Sequence, residues 1–256
     1  MVQSIDRALA ILEVLAQKGS PISLSLVSSE TKLNISTAHR LLHALIEHGW
    51  VEQEIATGHY RLGIKVFEIG NRALYSLDIR SIAKPFLQKL AEAFNETANL
   101  AIMDKNEVVY IDQVEAENIM RMMAHPGTRA PSYCTAAGKA MLAYKDKSFL
   151  SLFLKEVPLL SYTKNTITDP LKLEEELKTI QKLGFAVDEG EIEEDVRCLA
   201  SPIFNHKEEA IASFSISGPR LRILSKIKDE KLLETLVASA HKVSELLGYK
   251  IPAPLR

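Results

Sequence analysis

One short segment near the start of the chain concentrates side chains that can bind a nucleic acid. It runs from Asn34 to Val51 and reads NISTAHRLLHALIEHGWV. At about 100° per residue, one side of a helix with this sequence is aliphatic and suited to packing. That side holds Ala38, Leu41, Leu42, Leu45 and Ile46. The opposite side and its flanks carry hydroxyl, imidazole and guanidinium groups, from Ser36, Thr37, His39, Arg40 and His43.

These groups match the hydrogen-bonding chemistry of DNA. Arg40 can donate two hydrogen bonds to a guanine edge, or pair with a phosphate. Ser36 and Thr37 are short enough to reach a phosphate or a base at a helix N-terminus, where backbone amides also favour anions. His39 and His43 can donate to phosphate or base acceptors. We therefore predict that the N-terminal half of this helix enters the major groove.

The elements around this helix complete a winged helix-turn-helix. We expect Ser36 to cap the helix and Gly49 to end it. A short helix capped by Ser23, followed by a tight turn, precedes it. The segments WVEQE and HYRLG, joined by IATG, predict a two-stranded hairpin that forms the wing. His59 and Arg61 on this wing are further candidates for contact with the DNA backbone.

The charge balance leaves a second interpretation open. Up to residue 62, acidic residues slightly outnumber basic ones, so the segment has no basic patch. The basic residues are Arg7, Lys18, Lys32, Arg40 and Arg61, and the acidic ones are Asp6, Glu13, Glu30, Glu47, Glu52 and Glu54. The formal net charge of the whole chain is -2, so any contact with DNA must be local. The alternative is a small-molecule sensor that acts through protein partners without specific DNA binding.

The rest of the chain predicts an α+β domain. After a DNA-binding domain at residues 1–63, we expect a linker helix at 64–78 and an effector-binding domain at 79–250. Short runs rich in branched residues predict strands, among them NLAIMD, EVVYIDQVE, IMRMMAH and AIASFSISG. Capped amphipathic stretches such as DPLKLEEELKTIQKLG predict helices. The expected arrangement is a largely antiparallel sheet with flanking helices.

Two segments of this domain carry groups that fit a polar ligand pocket. Thr135 can cap a helix that opens with Ala136 and Ala137, whose free backbone amides would hold a carboxylate. In AIASFSISG, the three serines share one face of a strand and form one wall of a pocket. Each segment has a simpler explanation, namely a tightly packed helix start and an ordinary solvated sheet face.

Asp188 and Cys198 complete the list of candidate residues, and no catalytic set accompanies them. The acidic run after Asp188 is most simply a solvated loop, and Cys198 is most simply a small buried thiol. A cysteine nucleophile needs a histidine and an orienting group, and the sequence has no such signature. Cys134, Cys198, Asp188 and His206 lack the spacing of a metal site. We therefore expect no catalytic residue, no metal and no cofactor.

The bulk composition is that of a cytoplasmic protein. Hydrophobic residues make up 46% of the chain and charged residues 25%, as in ordinary globular proteins. Two cysteines without a CxxC motif fit a reducing compartment. Charges interrupt the apolar start MVQSIDRALAILEVLAQKG, so we expect neither a signal peptide nor a membrane span, and no membrane among the partners.

Taken in order, the segments of this chain resemble the IclR family of transcriptional regulators. They are SIDRALAILEVLA, ISTAHRLLHALIEHGWVE, YRLGIKVFEIG, CTAAGKAMLA, GFAVDEGE, CLASPIF and ASFSISGP, from Ser4 to about Tyr249. The resemblance implies a winged helix-turn-helix, a linker helix and a C-terminal effector domain with a GAF-like or profilin-like fold. It also implies a homodimer or homotetramer that binds a palindromic double-stranded DNA operator and responds to a small organic acid.

The resemblance also assigns roles within the pocket. The amides of Ala136 and Ala137 would bind the ligand carboxylate, and Asp188 would accept a hydrogen bond from a ligand hydroxyl or a water. The polar rim would be completed by Cys198, Ser215 and Ser217, and the apolar wall would be formed by Ile119 and Met122. The chain is thus expected to be a ligand-responsive regulator, and our hypothesis is that it is a repressor.

Overall fold

The computed structural model describes residues 3–76, 78–118, 124–228 and 231–250, without the side chains of residues 71–76 and 78. The chain forms two compact units, one ending at Ser76 and the other starting at Leu77. Each unit is described by itself. Within the described ranges, no helix is long and apolar enough to cross a lipid bilayer.

The first unit contains four helices and a hairpin in its described part. They are α1 (Gln3–Lys18), α2 (Leu24–Thr31), α3 (Ile35–Glu47), β1 (Val51–Gln53), β2 (Tyr60–Leu62) and α4 (Ile64–Ser76). Strands β1 and β2 pair antiparallel, with Val51 opposite Leu62. Ile22 exchanges two backbone hydrogen bonds with Tyr60, at 2.9 and 2.7 Å, and so fastens the hairpin to the chain before α2. This is the predicted helix-turn-helix with its hairpin.

Two helix caps were predicted in this unit. The predicted cap of α2 is confirmed, and the predicted cap of α3 is wrong. The Ser23 hydroxyl accepts a hydrogen bond from the amide of Leu26 at 3.3 Å, as predicted. The prediction that Ser36 caps α3 was wrong, because Asn34 takes that position. The Asn34 side chain accepts from the amide of Thr37 at 2.8 Å, and its own backbone is extended. Ser36 is the second residue of α3, and its hydroxyl donates to the Asn34 side chain at 3.0 Å.

The second unit alternates helices and strands. Its described elements are α5 (Asp78–Phe94), β3 (Thr97–Asp104), β4 (Glu107–Val114), β5 (Arg129–Pro131), a 3₁₀ turn (Ser132–Cys134), α6 (Ala136–Leu142), α7 (Lys147–Glu156), α8 (Pro170–Leu183), β6 (Ala186–Asp188), β7 (Val196–Phe204), β8 (Ala210–Pro219), α9 (Arg220–Lys228) and α10 (Lys231–Leu246). The predicted strand IMRMMAH falls largely on residues 119–123, which lie outside the described residues. The predicted final helix corresponds to α9 and α10.

The strands of the second unit form one sheet, and every described pairing in it is antiparallel. Its order is β5-β4-β3-β8-β7-β6. Helices α5 and α10 pack on one face of the sheet, and α6 packs against β6, β7 and β8 on the other. The Ser213 hydroxyl donates to the carbonyl of Ala137 in α6 at 3.2 Å, which identifies the face that the serines of β8 share. The predicted α+β class and antiparallel sheet are confirmed.

The start of α6 lies unusually close to the preceding turn. A Cβ atom added to Gly138 would stand 2.2 Å from the carbonyl oxygen of Ser132. Only a glycine fits there, and this lets the first turn of α6 lie directly against the 3₁₀ turn. The first turn of α6 is therefore held in place by backbone packing.

We predict that Gly138→Ala lowers the free energy of unfolding by about 1–3 kcal/mol, the usual cost of overpacking. The measurement is urea unfolding followed by circular dichroism. Gly70→Ala is a matched control, because Gly70 is also helical and its added Cβ would meet nothing within 4 Å. Equal midpoints for the two variants would contradict the close approach.

Candidate DNA-binding helix and effector pocket

Helix α3 presents the predicted polar side chains to solvent. Ser36, His39, Arg40 and His43 are exposed, and Thr37 is half-buried. The aliphatic side faces inward and belongs to the core of the unit, with Ala38 and Leu42 fully buried and Leu41, Leu45 and Ile46 partly buried. The aliphatic side predicted from the sequence therefore packs α3 against the rest of the unit, and the polar side stays exposed to solvent.

The wing carries less free positive charge than its sequence suggests. The Arg61 guanidinium donates from Nε and Nη2 to one carboxylate oxygen of Glu52, at 3.1 and 2.9 Å. His59 is half-buried. Lys32, by contrast, is exposed in the turn between α2 and α3, where its backbone has a φ of 55°. Lys32 was not among the predicted DNA-binding residues. Its position in the predicted turn of the helix-turn-helix could have suggested it as a candidate.

Pairing between β6, β7 and β8 brings four predicted pocket residues together, and we call this set the polar row. Asp188 stands opposite Cys198, and Cys198 stands opposite Ser217. Ser215 lies one step away on the same face of β8, opposite Ala200. Residues directly opposite in an antiparallel pair project to the same side, so all four side chains of this polar row share the face that α6 covers in part.

The start of α6 adds backbone donors to this face. The Thr135 hydroxyl accepts from the amide of Gly138 at 3.1 Å and caps the helix, as predicted. A helix offers no internal acceptor to its first amides, here those of Ala136 and Ala137. Both alanines are buried, and they pack in one cluster with Cys198. The structure therefore places the helix start beside the polar row.

Asp188 both organises a turn and lies at the end of the polar row. Its Oδ1 accepts from the amides of Gly190 and Glu191, at 3.0 and 2.7 Å. Burial raises the pKa of Asp188, and the two amide hydrogen bonds oppose that rise. The acidic run is therefore a folded turn at its start, where the sequence suggested a solvated loop.

The two cysteine thiols of this unit, which belong to one packed cluster, are poor nucleophiles. Burial raises the pKa of Cys198 far above neutral, and nearby Asp188 adds to the effect. Burial likewise raises the pKa of Cys134 to about 12. A protonated thiol neither attacks a substrate nor binds a metal. Among the residues that the structure describes, no group of three histidine, cysteine or acidic side chains could hold a metal ion.

A buried ion pair joins α6 to the turn that follows β6. The Lys139 ammonium contacts the Glu191 carboxylate, and it reaches Glu176 of α8 at 3.2 Å. Lys139 is only 1% exposed and Glu191 only 2%. Burial raises the pKa of Glu191 to about 7, although Lys139 opposes the rise. The second oxygen of Glu191 has no hydrogen-bond partner. This ion pair was not predicted from the sequence, since the two residues are far apart along the chain.

Both parts of the chain match models of one protein family. Residues 4–54 match the model described as the IclR helix-turn-helix domain, and residues 71–245 match the one described as the bacterial transcriptional regulator IclR C-terminal. The chain belongs to the IclR family. It is therefore a DNA-binding transcriptional regulator, and the IclR family is not enzymatic.

Relatives along the whole chain support the IclR assignment. The chain is 35% identical to the transcriptional repressor IclR of Escherichia coli over 91% of this chain and 84% of that protein. The crystal structure of the Thermotoga maritima IclR superposes with a TM-score of 0.81 at 34% identity, over 97% of this chain and 100% of that one. An IclR homolog from Microbacterium hydrocarbonoxydans, complexed with 4-hydroxybenzoate, shares the fold with a TM-score of 0.85 at 24% identity, over 95% and 98% of the two chains.

Two amide side chains that the sequence did not single out also lie on the pocket face of this IclR protein. Asn99 of β3 stands opposite Ser215 and opposite Gln113 of β4. Tyr110 lies on the same face, and burial raises its pKa, with Cys198 and Asp188 adding to the effect.

The predicted wall residues Ile119 and Met122 lie outside the described residues, so their placement stays a prediction.

Lys139→Met should lower the free energy of unfolding by about 3–5 kcal/mol, because it leaves the Glu191 carboxylate buried without its cation. The double variant Lys139→Met/Glu191→Leu should recover most of this loss, since apolar residues often replace a buried pair at little cost. Denaturant titration measures both. Lys164→Met is the control, because its ion pair with Glu194 is exposed and contributes little. If Lys139→Met is no worse than this control, the ion pair is not essential to the fold.

Proposed function

We propose that this protein is a ligand-controlled repressor that binds a palindromic operator and is modulated by a small organic acid. One observation carries the proposal. The chain combines an exposed, polar α3 in one unit with a buried polar row beside a helix start in the other. A regulator with these two parts belongs in the bacterial cytoplasm, where it meets its operator.

The proposed DNA contacts lie on α3 and the wing. Arg40 is the strongest candidate for reading a base, because it is exposed and has no ion-pair partner among the described side chains. The supporting contacts would come from Ser36, Thr37, His39, His43, His59 and Arg61. The pairing of Arg61 with Glu52 suggests that Arg61 contributes less than an unpaired arginine would.

Exposed apolar side chains on the first unit support self-association. In α1, Ile5 is 56% exposed and Leu9 is 52% exposed. In α4, Phe67 is 66% exposed and Ile64 is 63% exposed. Large apolar side chains left on a helix surface favour burial against a partner. A homodimer with two-fold symmetry would present two copies of α3 to a palindrome, about one turn of DNA apart. Further pairing to a homotetramer is compatible with this arrangement.

The proposed effector site is the polar row beneath the start of α6. The amides of Ala136 and Ala137 would bind the acid's carboxylate, and Asp188 would accept from a hydroxyl or a water. Cys198, Ser215 and Ser217 would form the polar rim, and Ile119 and Met122 the apolar wall. A carboxylate-bearing molecule, 4-hydroxybenzoate, is bound by the Microbacterium homolog. The effector would act by binding the DNA-competent and DNA-free states with different affinities.

The experiment that tests the proposal is selection of binding sites from a randomised DNA duplex library. We expect an enriched inverted repeat whose affinity falls steeply with salt, because bound phosphates release counterions. The selected duplex then serves to screen carboxylic acids for its release. No enrichment at low salt, with or without the acids, would favour the sensor that acts through protein partners.

Arg40→Ala should weaken binding to the selected duplex by about 5-fold to 150-fold, the effect of losing about 1–3 kcal/mol of base contact. Fluorescence anisotropy at fixed salt measures this. Lys155→Ala, which removes an exposed charge from α7, controls for the change in net charge. Equal affinity of the Arg40 variant and wild type would show that α3 does not read the operator as proposed.

A further inference from the structure

We propose that Asn99 and Gln113 are positioning residues that turn the hydroxyl hydrogens of Ser215 and Ser217 toward a bound effector. The serine hydroxyls would then join the amides of Ala136 and Ala137 as donors to the effector's carboxylate, and the pocket would select this group over a carboxamide, which brings its own hydrogens. This inference rests on the proposed effector site. Neither Asn99 nor Gln113 was among the residues predicted from the sequence.

The four side chains form a continuous network across three strands. Gln113 of β4 stands opposite Asn99 of β3, which stands opposite Ser215 of β8. Gln113 Nε2 donates to Asn99 Oδ1 at 3.0 Å. Asn99 Nδ2 then donates to the Ser215 and Ser217 hydroxyl oxygens, at 3.3 and 3.4 Å. Asn99 is 1% exposed, so its amide group has little access to water that could replace these partners.

The end of Gln113 that faces Asn99 sets the direction of the network, because a carboxamide has one donor end and one acceptor end. Gln113 occupies the acceptor end of Asn99 with an N–H group. Reversing Asn99 would place its NH₂ group against that donor and lose the hydrogen bond. The donor end of Asn99 therefore faces the two serines, and each serine oxygen acts as an acceptor toward Asn99.

The direction of the network decides what the serines can offer to a ligand. A hydroxyl has a single hydrogen, and it cannot give that hydrogen to an N–H group that is donating to its oxygen. The hydrogens of Ser215 and Ser217 must point to other acceptors. An ionised carboxylate has only acceptor oxygens and matches such donors, whereas the NH₂ group of a carboxamide opposes them.

The test compares each acid with its own carboxamide. The probes are pyruvate with pyruvamide and 4-hydroxybenzoate with 4-hydroxybenzamide, titrated by calorimetry into the full chain. Wild type should bind at least one acid at least tenfold more tightly than its amide. Asn99→Asp replaces the donor end by an acceptor, so the serine hydrogens turn toward residue 99. The acid-to-amide preference should then fall by tenfold or more.

Gln113→Glu supplies a second, independent reversal. Its carboxylate accepts from the Asn99 NH₂ group, so Asn99 turns its carbonyl oxygen to the serines, and the same loss of preference is expected. Gln113→Glu also keeps the inference testable if Asn99→Asp fails to fold. Asn99→Leu is the uncharged control, because it removes the donor to the two serines without adding a negative charge that would repel the acid. Its serine hydroxyls are free to turn, so it should also lose the preference.

The outcomes separate this inference from the proposed function. If wild type binds an acid and both folded variants keep its preference over the amide, the positioning role is wrong and the effector site stands. If wild type binds none of the acids, the proposed effector site fails for these probes and the inference fails with it. A loss of preference in both variants and in the uncharged Asn99→Leu supports the inference, whereas a loss confined to the two charged variants would reflect repulsion of the acid and overturn it.

Discussion

The buried contact between Lys139 and Glu191 is the constraint on which the pocket depends. One partner belongs to the first turns of α6, and the other belongs to the turn whose amides bind Asp188. Two charges this deeply buried are tolerated only together, because either one alone would lack compensation. The contact therefore fixes the helix start relative to Asp188. The close approach at Gly138 also holds the start of α6 in place, since it leaves the helix no room to move toward the 3₁₀ turn.

The polar face of the sheet, where we propose that the effector binds, offers hydrogen-bonding groups and no reactive thiol among its described residues. The thiols of Cys134 and Cys198 stay protonated because burial raises their pKa, and the IclR family to which the chain belongs contains regulators.

The network of Gln113 and Asn99 is connected to the opposite face of the sheet through one bulged stretch of β4. There the backbone N–H of Gln113 donates to the Asp112 carboxylate, which forms an ion pair with Lys84 of α5 at 2.9 Å. Side chains on the two faces thus share one short piece of backbone.

The sequence predicted what depends on short-range periodicity and missed what depends on register. Helical spacing identified α3 and its two sides, and the alternation of β8 placed Ser215 and Ser217 on one face. The choice between Asn34 and Ser36 as a cap could not be made from residue type, because both types cap well and only the backbone decides. The partnership of Asn99 with Ser215 needs the pairing of β3 with β8, which are more than a hundred residues apart. Gln113 and the Lys139–Glu191 contact were hidden for the same reason.

The central claim is that occupancy of the effector site changes the affinity for DNA, and thermodynamic linkage tests it directly. The measurement is the dissociation constant of a bound acid, determined by calorimetry for the free protein and for its complex with the selected operator duplex. The account predicts two different values, with a ratio equal to the factor by which the same acid changes the operator's affinity. The same value in both states would contradict it, because a ligand without differential affinity cannot shift the equilibrium.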